Sequence, residues 1–116
     1  MAGFTLGSFE QSRADEPYAG IRRRSFDSEH ATVAEYVFQP GAQFPLHHHP
    51  QEQITVIEHG EIELLVAGEA RALSAGDWAV VAADVEHGIR AGANGARFVA
   101  TIVPRRERID AYTVTR

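Results

Sequence analysis

Cysteine is absent from this 116-residue chain. That excludes disulfides, thiolate metal ligands and a cysteine nucleophile. Long apolar runs are absent too, none approaching the roughly 20 residues needed to cross a membrane as a helix. The N-terminus, Met1-Ala2-Gly3-Phe4-Thr5, has no basic segment followed by an apolar one, so no secretory signal is read there. No stretch keeps a helical period beyond two turns, and there is no internal repeat or low-complexity linker. Positive charge is also scarce. The net charge is −5, and phosphate contacts need a basic face, so neither nucleic acid nor membrane is an expected partner. The one basic run, Arg22-Arg23-Arg24, lies near Asp27 and Glu29 and reads as a solvated strand end or a salt-bridged edge. The expected location is the cytoplasm.

What is present is a strand pattern. The composition, 44% hydrophobic and 23% charged, is that of a globular chain with room for one domain and one core. Branched and aromatic runs at 31–38, 53–58, 61–66, 70–73, 78–81, 88–91 and 97–103 are separated by turn residues such as Gln39-Pro40-Gly41, His59-Gly60 and Gly92-Ala93-Asn94-Gly95. Short strands about ten residues apart predict an all-β sandwich or closed barrel. The barrel is expected over residues 31–116. Residues 1–30 belong to the same domain as an N-terminal strand or arm, with 1–20 the least patterned part: an edge strand or an arm across a partner.

Chemistry concentrates in His47-His48-His49-Pro50-Gln51-Glu52-Gln53 and in His87. Side chains alternate faces along a strand, so His47 and His49 point one way and His48 the other. Gln53 joins the first face if the chain stays extended or returns in a neighbouring strand. Three imidazoles and one amide oxygen around a point make a first-row metal site. Glu52 is the alternative oxygen donor, but alternation aims it away from the two histidines. With Gln53 inward, Thr55 and Ile57 are inward, and Ile54 and Val56 are outward. An apolar outer strand face is usually covered by another chain, so a homodimer is expected, the alternative being a sandwich that covers both faces itself. His48 is expected to face solvent or an interface, and His30 and His59 the surface. Trp78 is expected in core or rim packing, and Arg90 in an outward salt bridge. Pro40 and Pro45 stiffen the entry to the histidine segment.

Two spaced motifs stand out. One runs Gly41, five residues, His47, one residue, His49, three residues, Gln53, six residues, Gly60. The other runs Gly76, five residues, Ala82, Ala83, Asp84, two residues, His87. Together they resemble the cupin superfamily, whose motifs are G-x5-H-x-H-x3,4-E-x6-G and G-x5-P-x-G-x2-H-x3-N. Every spacing fits. Gln53 replaces Glu, Ala82 replaces Pro, Asp84 replaces Gly and Ala91 replaces the final Asn. The resemblance implies a single-domain cupin β-barrel, also described as a double-stranded β-helix or jelly roll. It implies metal ligands at His47, His49, Gln53 and His87. One divalent transition metal per chain is expected, and the sulfur-free donor set admits Fe, Mn, Ni, Zn, Co or Cu. Gln in place of Glu keeps the site at +2 rather than +1, which favours an anionic ligand.

The chain is most similar to small cupins reading H-x-H-P-x-E-Q, a group that includes cupins opening and ketonising unsaturated uronate sugars. That group tends to end in D-x-F-x-P-x-R. Here Arg106 matches the Arg, while Ile102 and Ala100 replace Phe and Asp. The resemblance implies a small-molecule substrate; Tyr36, Phe38, Gln43 and Phe44 are candidates for the barrel mouth, and Tyr36, Phe38, Gln43 and Arg106 are the expected contacts. The expected activity is metal-stabilised enolate chemistry on a carbonyl, enediol or sugar-acid substrate. An Fe-dependent dioxygenase and a non-catalytic small-molecule-binding module are the alternatives. No general acid or base is named by the sequence, because Ala100 removes the carboxylate.

Overall fold

Period-two alternation of branched and polar residues makes this chain a strand former almost throughout. The computed structural model describes residues 3–115. It contains a 3-10 turn, η1 (Phe9–Gln11), and strands β1 (Arg13–Tyr18), β2 (Ile21–Asp27), β3 (Thr32–Phe38), β4 (Gln43–His48), β5 (Glu52–Val66), β6 (Glu69–Ser74), β7 (Trp78–Val81), β8 (His87–Val103) and β9 (Thr113–Val114). All pairings are antiparallel. The curled all-β sheet confirms the expected fold class.

Two long strands organise the molecule. Residues 96–103 of β8 lie between β3 and residues 52–60 of β5, while residues 87–91 of β8 lie between β4 and residues 62–66 of β5. Each strand therefore serves both layers and bends between them. The sequence pattern divided each into two strands around a turn. The chain instead passes through with local register shifts at Ile57/His59 and Gly60/Ile62. Gly60 makes the bend feasible. Its φ is +74°, and a Cβ there would lie 2.0 Å from the Gly95 carbonyl oxygen.

The N-terminal part is more ordered than the pattern suggested. β1 and β2 form a hairpin that pairs with β3, so the irregular arm is confined to residues 3–8. The core lies between the two layers. Tyr36, Phe38, Phe44, Ile57, Ile62 and Phe98 are among its buried side chains. No helix among the described residues is long and apolar enough to cross a membrane.

Candidate metal centre

The two layers bring three imidazoles to one point. His47 points inward from β4 directly opposite His87, the first residue of β8. His49 follows one residue after β4 ends. Each ring is oriented by a backbone carbonyl two residues away. Nδ1 of His47 lies 2.8 Å from Pro45 O, Nδ1 of His49 lies 3.0 Å from Gln51 O, and Nδ1 of His87 lies 2.9 Å from Val85 O. A carbonyl oxygen only accepts, so each Nδ1 carries the proton and each Nε2 presents a lone pair. The ligand atoms of the three rings lie within 4.8 Å of one another.

Gln53 completes the arrangement. Its Oε1 lies 3.2 Å from His49 Nε2 and 3.1 Å from His87 Nε2, and its Nε2 donates to Thr55 Oγ1 at 3.1 Å. Two lone-pair nitrogens, those of His49 and His87, thus face the amide oxygen with no proton between them, and the third, of His47, lies in the same cluster. In an apolar interior that is repulsive unless a cation lies at the centre. The donor set fits a borderline divalent ion, and the Nδ1 carbonyls are the outer partners that fix ligating imidazoles. Glu52 is exposed and lies outside this constellation.

Burial reinforces the neutral state. The three histidines are 0–3% exposed and Gln53 is 5% exposed. Burial, and then the neighbouring His87, push His47 down to about 3. Burial, and then the Arg106 guanidinium, push His49 down to about 4. His87 is lowered mainly by burial, with Arg106 adding to it. All three are therefore unprotonated at neutral pH, the form that binds metal.

Beside them is a cavity lined by Tyr36, Phe38, Phe44, His47, Gln53, Ile89, Phe98 and Arg106. Arg106 is its unusual member. It is 4% exposed, and its Nη1 donates to Ile109 O at 2.9 Å. Its guanidinium lies over the Tyr112 ring, 5.5 Å from the centroid. Its Nε has no acceptor. Among the described residues no carboxylate pairs with it, and burial lowers its pKa. Arg23, 1% exposed, contrasts with it. Its Nε and Nη2 donate to the two oxygens of Asp15 at 3.0 and 2.6 Å, and its Nη1 reaches the Tyr36 hydroxyl at 3.5 Å. Burial alone would depress its pKa, but the bonds to Asp15 and Tyr36 hold it above the usual arginine value. Ala100 lies between Ala34 and Thr55 in the sheet, so no carboxylate enters the cavity there.

Three expectations need correcting. Gln43 does not reach the cavity: it is exposed opposite Arg90, and alternation turns its neighbour Phe44 inward instead. Of the solvated end or salt-bridged edge expected for the arginine run, the salt bridge is present, from Arg23 to Asp15, but Arg23 is not solvated, because alternation along β2 buries it between exposed Arg22 and half-buried Arg24. Trp78 is 68% exposed rather than packed, since its inward-facing neighbour is Ala79. Arg90 does pair outward, with Glu63, and His30 and His59 are exposed. Tyr36, Phe38 and Arg106 all line the cavity. Four residues near the site have roles not read from the sequence, although Thr55 was expected to face inward. Thr55 holds the Gln53 amide, and its i+2 spacing was the available signal. Gln51 presents a buried, unpartnered Oε1. Asp15 neutralises Arg23. Tyr112 covers His47, with ring centroids 5.1 Å apart, and its hydroxyl bonds that of Tyr18 at 3.1 Å. Asp15 and Tyr112 come from distant segments that carry no motif.

Comparison with known proteins agrees with this geometry. The family model described as Cupin domain matches residues 34–103. An RmlC-like cupin from Shewanella frigidimarina superposes with a TM-score of 0.78 at 27% identity, over 92% of this chain and 95% of that one. KdgF from a Halomonas species gives a TM-score of 0.77 at 27% identity, over 88% of this chain and 97% of that one. A variant oxalate decarboxylase from Bacillus subtilis gives 0.84 at 18% identity, over 94% of this chain and 32% of that one, a likeness of fold alone. No curated protein sequence matches.

Proposed function

Since the chain belongs to the cupin family, we propose that it is a small metal-dependent enzyme, holding one divalent transition metal through His47, His49, His87 and Gln53. Its substrate in this reading is a small oxygenated anion with a carbonyl, enediol or sugar-acid group, and its chemistry is enolisation. The observation that carries the proposal is the convergence of three Nε2 lone pairs and one amide oxygen beside a buried guanidinium that lacks a counter-ion. A divalent cation in that donor set supplies Lewis acidity for an oxygen on which negative charge develops.

The chain's own residues do the rest. Arg106 binds the substrate carboxylate, which supplies the acceptor its Nε lacks. Phe38, Phe44 and Phe98 exclude water from the cavity, strengthening each electrostatic contact in it. Tyr36 provides the cavity hydroxyl that carries a proton, and Arg23 holds it in place. In this reading the chain is cytoplasmic, and it is a homodimer, the latter supported by outward-facing Ile54 and Val56 on β5.

A second reading has an observation of its own. The cavity contains no carboxylate, and Ala100 stands where the uronate-opening group carries Asp. A non-catalytic module that holds a small acid would need no such group. One experiment separates the readings. Metal-reconstituted protein is offered a 4,5-unsaturated monouronate and acetylacetone, with and without O2. Oxygen-independent loss of the uronate's ultraviolet absorbance, reduced at least a hundredfold in Arg106→Ala, supports enolisation. Turnover only with O2 and iron moves the site to dioxygenase chemistry. Saturable binding without turnover of either probe replaces the enzyme with the binding module.

A further inference from the structure

The cavity beside the centre is closed. It offers about 10 Å³ of free space, room for roughly one water. Any carbonyl acid is larger, so a wall must move before one can reach Arg106 and the histidines. The sheet walls are fixed by pairing along both edges. Phe38 pairs with Ile21 and Ala96, Phe98 with Tyr36 and Ile57, and Ile89 with Phe44 and Leu64. All three are buried.

The C-terminal segment is different. None of residues 107–115 is buried. At one end of this strap Arg106 is anchored to the sheet. Its backbone N–H donates to Thr32 Oγ1 at 3.0 Å, and that hydroxyl donates to Asp27 Oδ1 at 2.8 Å. At the other end β9 pairs just two residues with the edge of β4, opposite His47 and His48. Thr115 adds bonds to Leu46 O and to the Glu86 carboxylate. Between these ends the backbone bonds, Ala111 N–H to Arg108 O and Tyr112 N–H to Asp110 O, stay within the strap. Tyr112 is the plug. Its ring centroid lies 5.4 Å from that of Phe44, 5.1 Å from that of His47 and 5.5 Å from the Arg106 guanidinium carbon. These three residues line the cavity, whereas Tyr112 is half-buried and so stands between them and solvent. Its hydroxyl is tied to the sheet through the Tyr18 hydroxyl at 3.1 Å. A segment with so few buried contacts opens locally far more readily than the paired core.

We propose that residues 107–115 are a gate on the centre, hinged at Arg106 and latched by Tyr112 to Tyr18. Because the hinge is Arg106 itself, the anion site stays in place while the gate moves. The inference takes from the proposed function only the need for a small anion to reach the centre. The probe is diethylpyrocarbonate, which acylates unprotonated imidazole and is too large for the closed cavity. Metal-free protein is treated with it, and the rate at each histidine is read by tandem mass spectrometry, with exposed His30 and His59 as internal standards. No metal is needed, so the result stands whether or not the centre binds one. Tyr18→Phe and Tyr112→Ala loosen the latch. His48→Cys/Thr113→Cys locks it, since residues directly opposite in an antiparallel pair have Cα atoms about 4.5–5.5 Å apart, within disulfide reach. The chain has no other cysteine. His47 is expected to react far more slowly than His59 in the wild type. Tyr18→Phe should speed it several-fold to about tenfold, the effect of one lost hydrogen bond, and Tyr112→Ala should speed it further. The oxidised lock should slow His47 by about tenfold or more, with reduction of the disulfide restoring the rate. A His47 rate that is the same in the oxidised and reduced lock would overturn the gate, because the reagent would then enter elsewhere. His47 reacting as fast as His59 in the wild type would also overturn it, because the strap would not close the centre.

Discussion

At the residue scale the centre depends on which way one amide faces. Gln53 turns Oε1 to the histidines because its Nε2 has an acceptor in Thr55. Removing that acceptor with Thr55→Val frees the amide to turn its NH2 group onto the imidazole lone pairs, where it competes with a cation. Metal affinity, measured by competition with a chromogenic chelator, is expected to fall about 10–100-fold, the usual cost of losing such a supporting bond. Thr55→Ser should restore it, and an unchanged affinity in Thr55→Val would remove Thr55 from the centre. Arg23 gives a second test. Asp15→Ala leaves a buried guanidinium without its counter-ion, and Asp15 is itself 38% exposed. The expected loss is about 2–3 kcal/mol by urea unfolding, below the 3–5 kcal/mol typical when both partners are buried. The histidines and Gln53 were legible in the sequence because spacing and strand alternation both mark them. Arg23 was not, because a run of three arginines hides the alternation that buries its middle member. Gln43 was misread by nearness to the motif, where alternation alone separates it from inward-facing Phe44.

At the scale of elements, β5 and β8 hold the centre together. Gln53 and His87 lie on different strands, and continuous β5–β8 pairing fixes their separation. The sequence gives glycines at both bends, which read equally well as turns that end a strand. What distinguishes a bend from a turn is close approach between distant strands, and no local pattern records that. Gly60→Ala is a direct probe. Its Cβ would overlap the Gly95 carbonyl at a backbone conformation alanine resists. Gly68 has the same φ of +74° with open space around it, so Gly68→Ala measures conformational strain alone, about 1 kcal/mol. Gly60→Ala is expected to cost at least about 3 kcal/mol more by thermal or urea unfolding, within the range of severe overpacking. Equal losses in the two variants would show that the strands do not depend on this contact. The β1–β2 hairpin was only half legible, since β1 is an edge strand within residues 1–20 while β2 went unread. Its partner is β3, and the charged and proline-bearing sequence of 13–24 lacks the alternation seen elsewhere.

For the whole molecule, the centre ties stability to pH. The metal-free folded protein holds His47 and His49 unprotonated down to about 3 and about 4, whereas in the unfolded chain histidine takes a proton near pH 6.5. Below that value the unfolded state binds more protons, so stability is fully present above pH 6.5 and declines as pH falls toward 4 and then 3. Each such histidine contributes a slope of up to about 1.4 kcal/mol per pH unit. Metal-free protein should therefore unfold at lower urea at pH 5 than at pH 7, and His47→Gln should flatten the difference. A midpoint independent of pH would contradict the burial of neutral imidazoles. The fold class, the candidate metal ligands and the cavity residues Tyr36, Phe38 and Arg106 were visible in the sequence, while Asp15 and Tyr112 reach their places by packing between segments that no motif connects. Every role proposed for the site depends on a bound metal. The most direct test is inductively coupled plasma mass spectrometry on untagged protein purified without added metal, beside a His47→Ala/His87→Ala variant. Close to one transition metal per chain, lost in the variant, is the predicted result. No bound metal even after reconstitution, or equal metal in both proteins, would contradict the account.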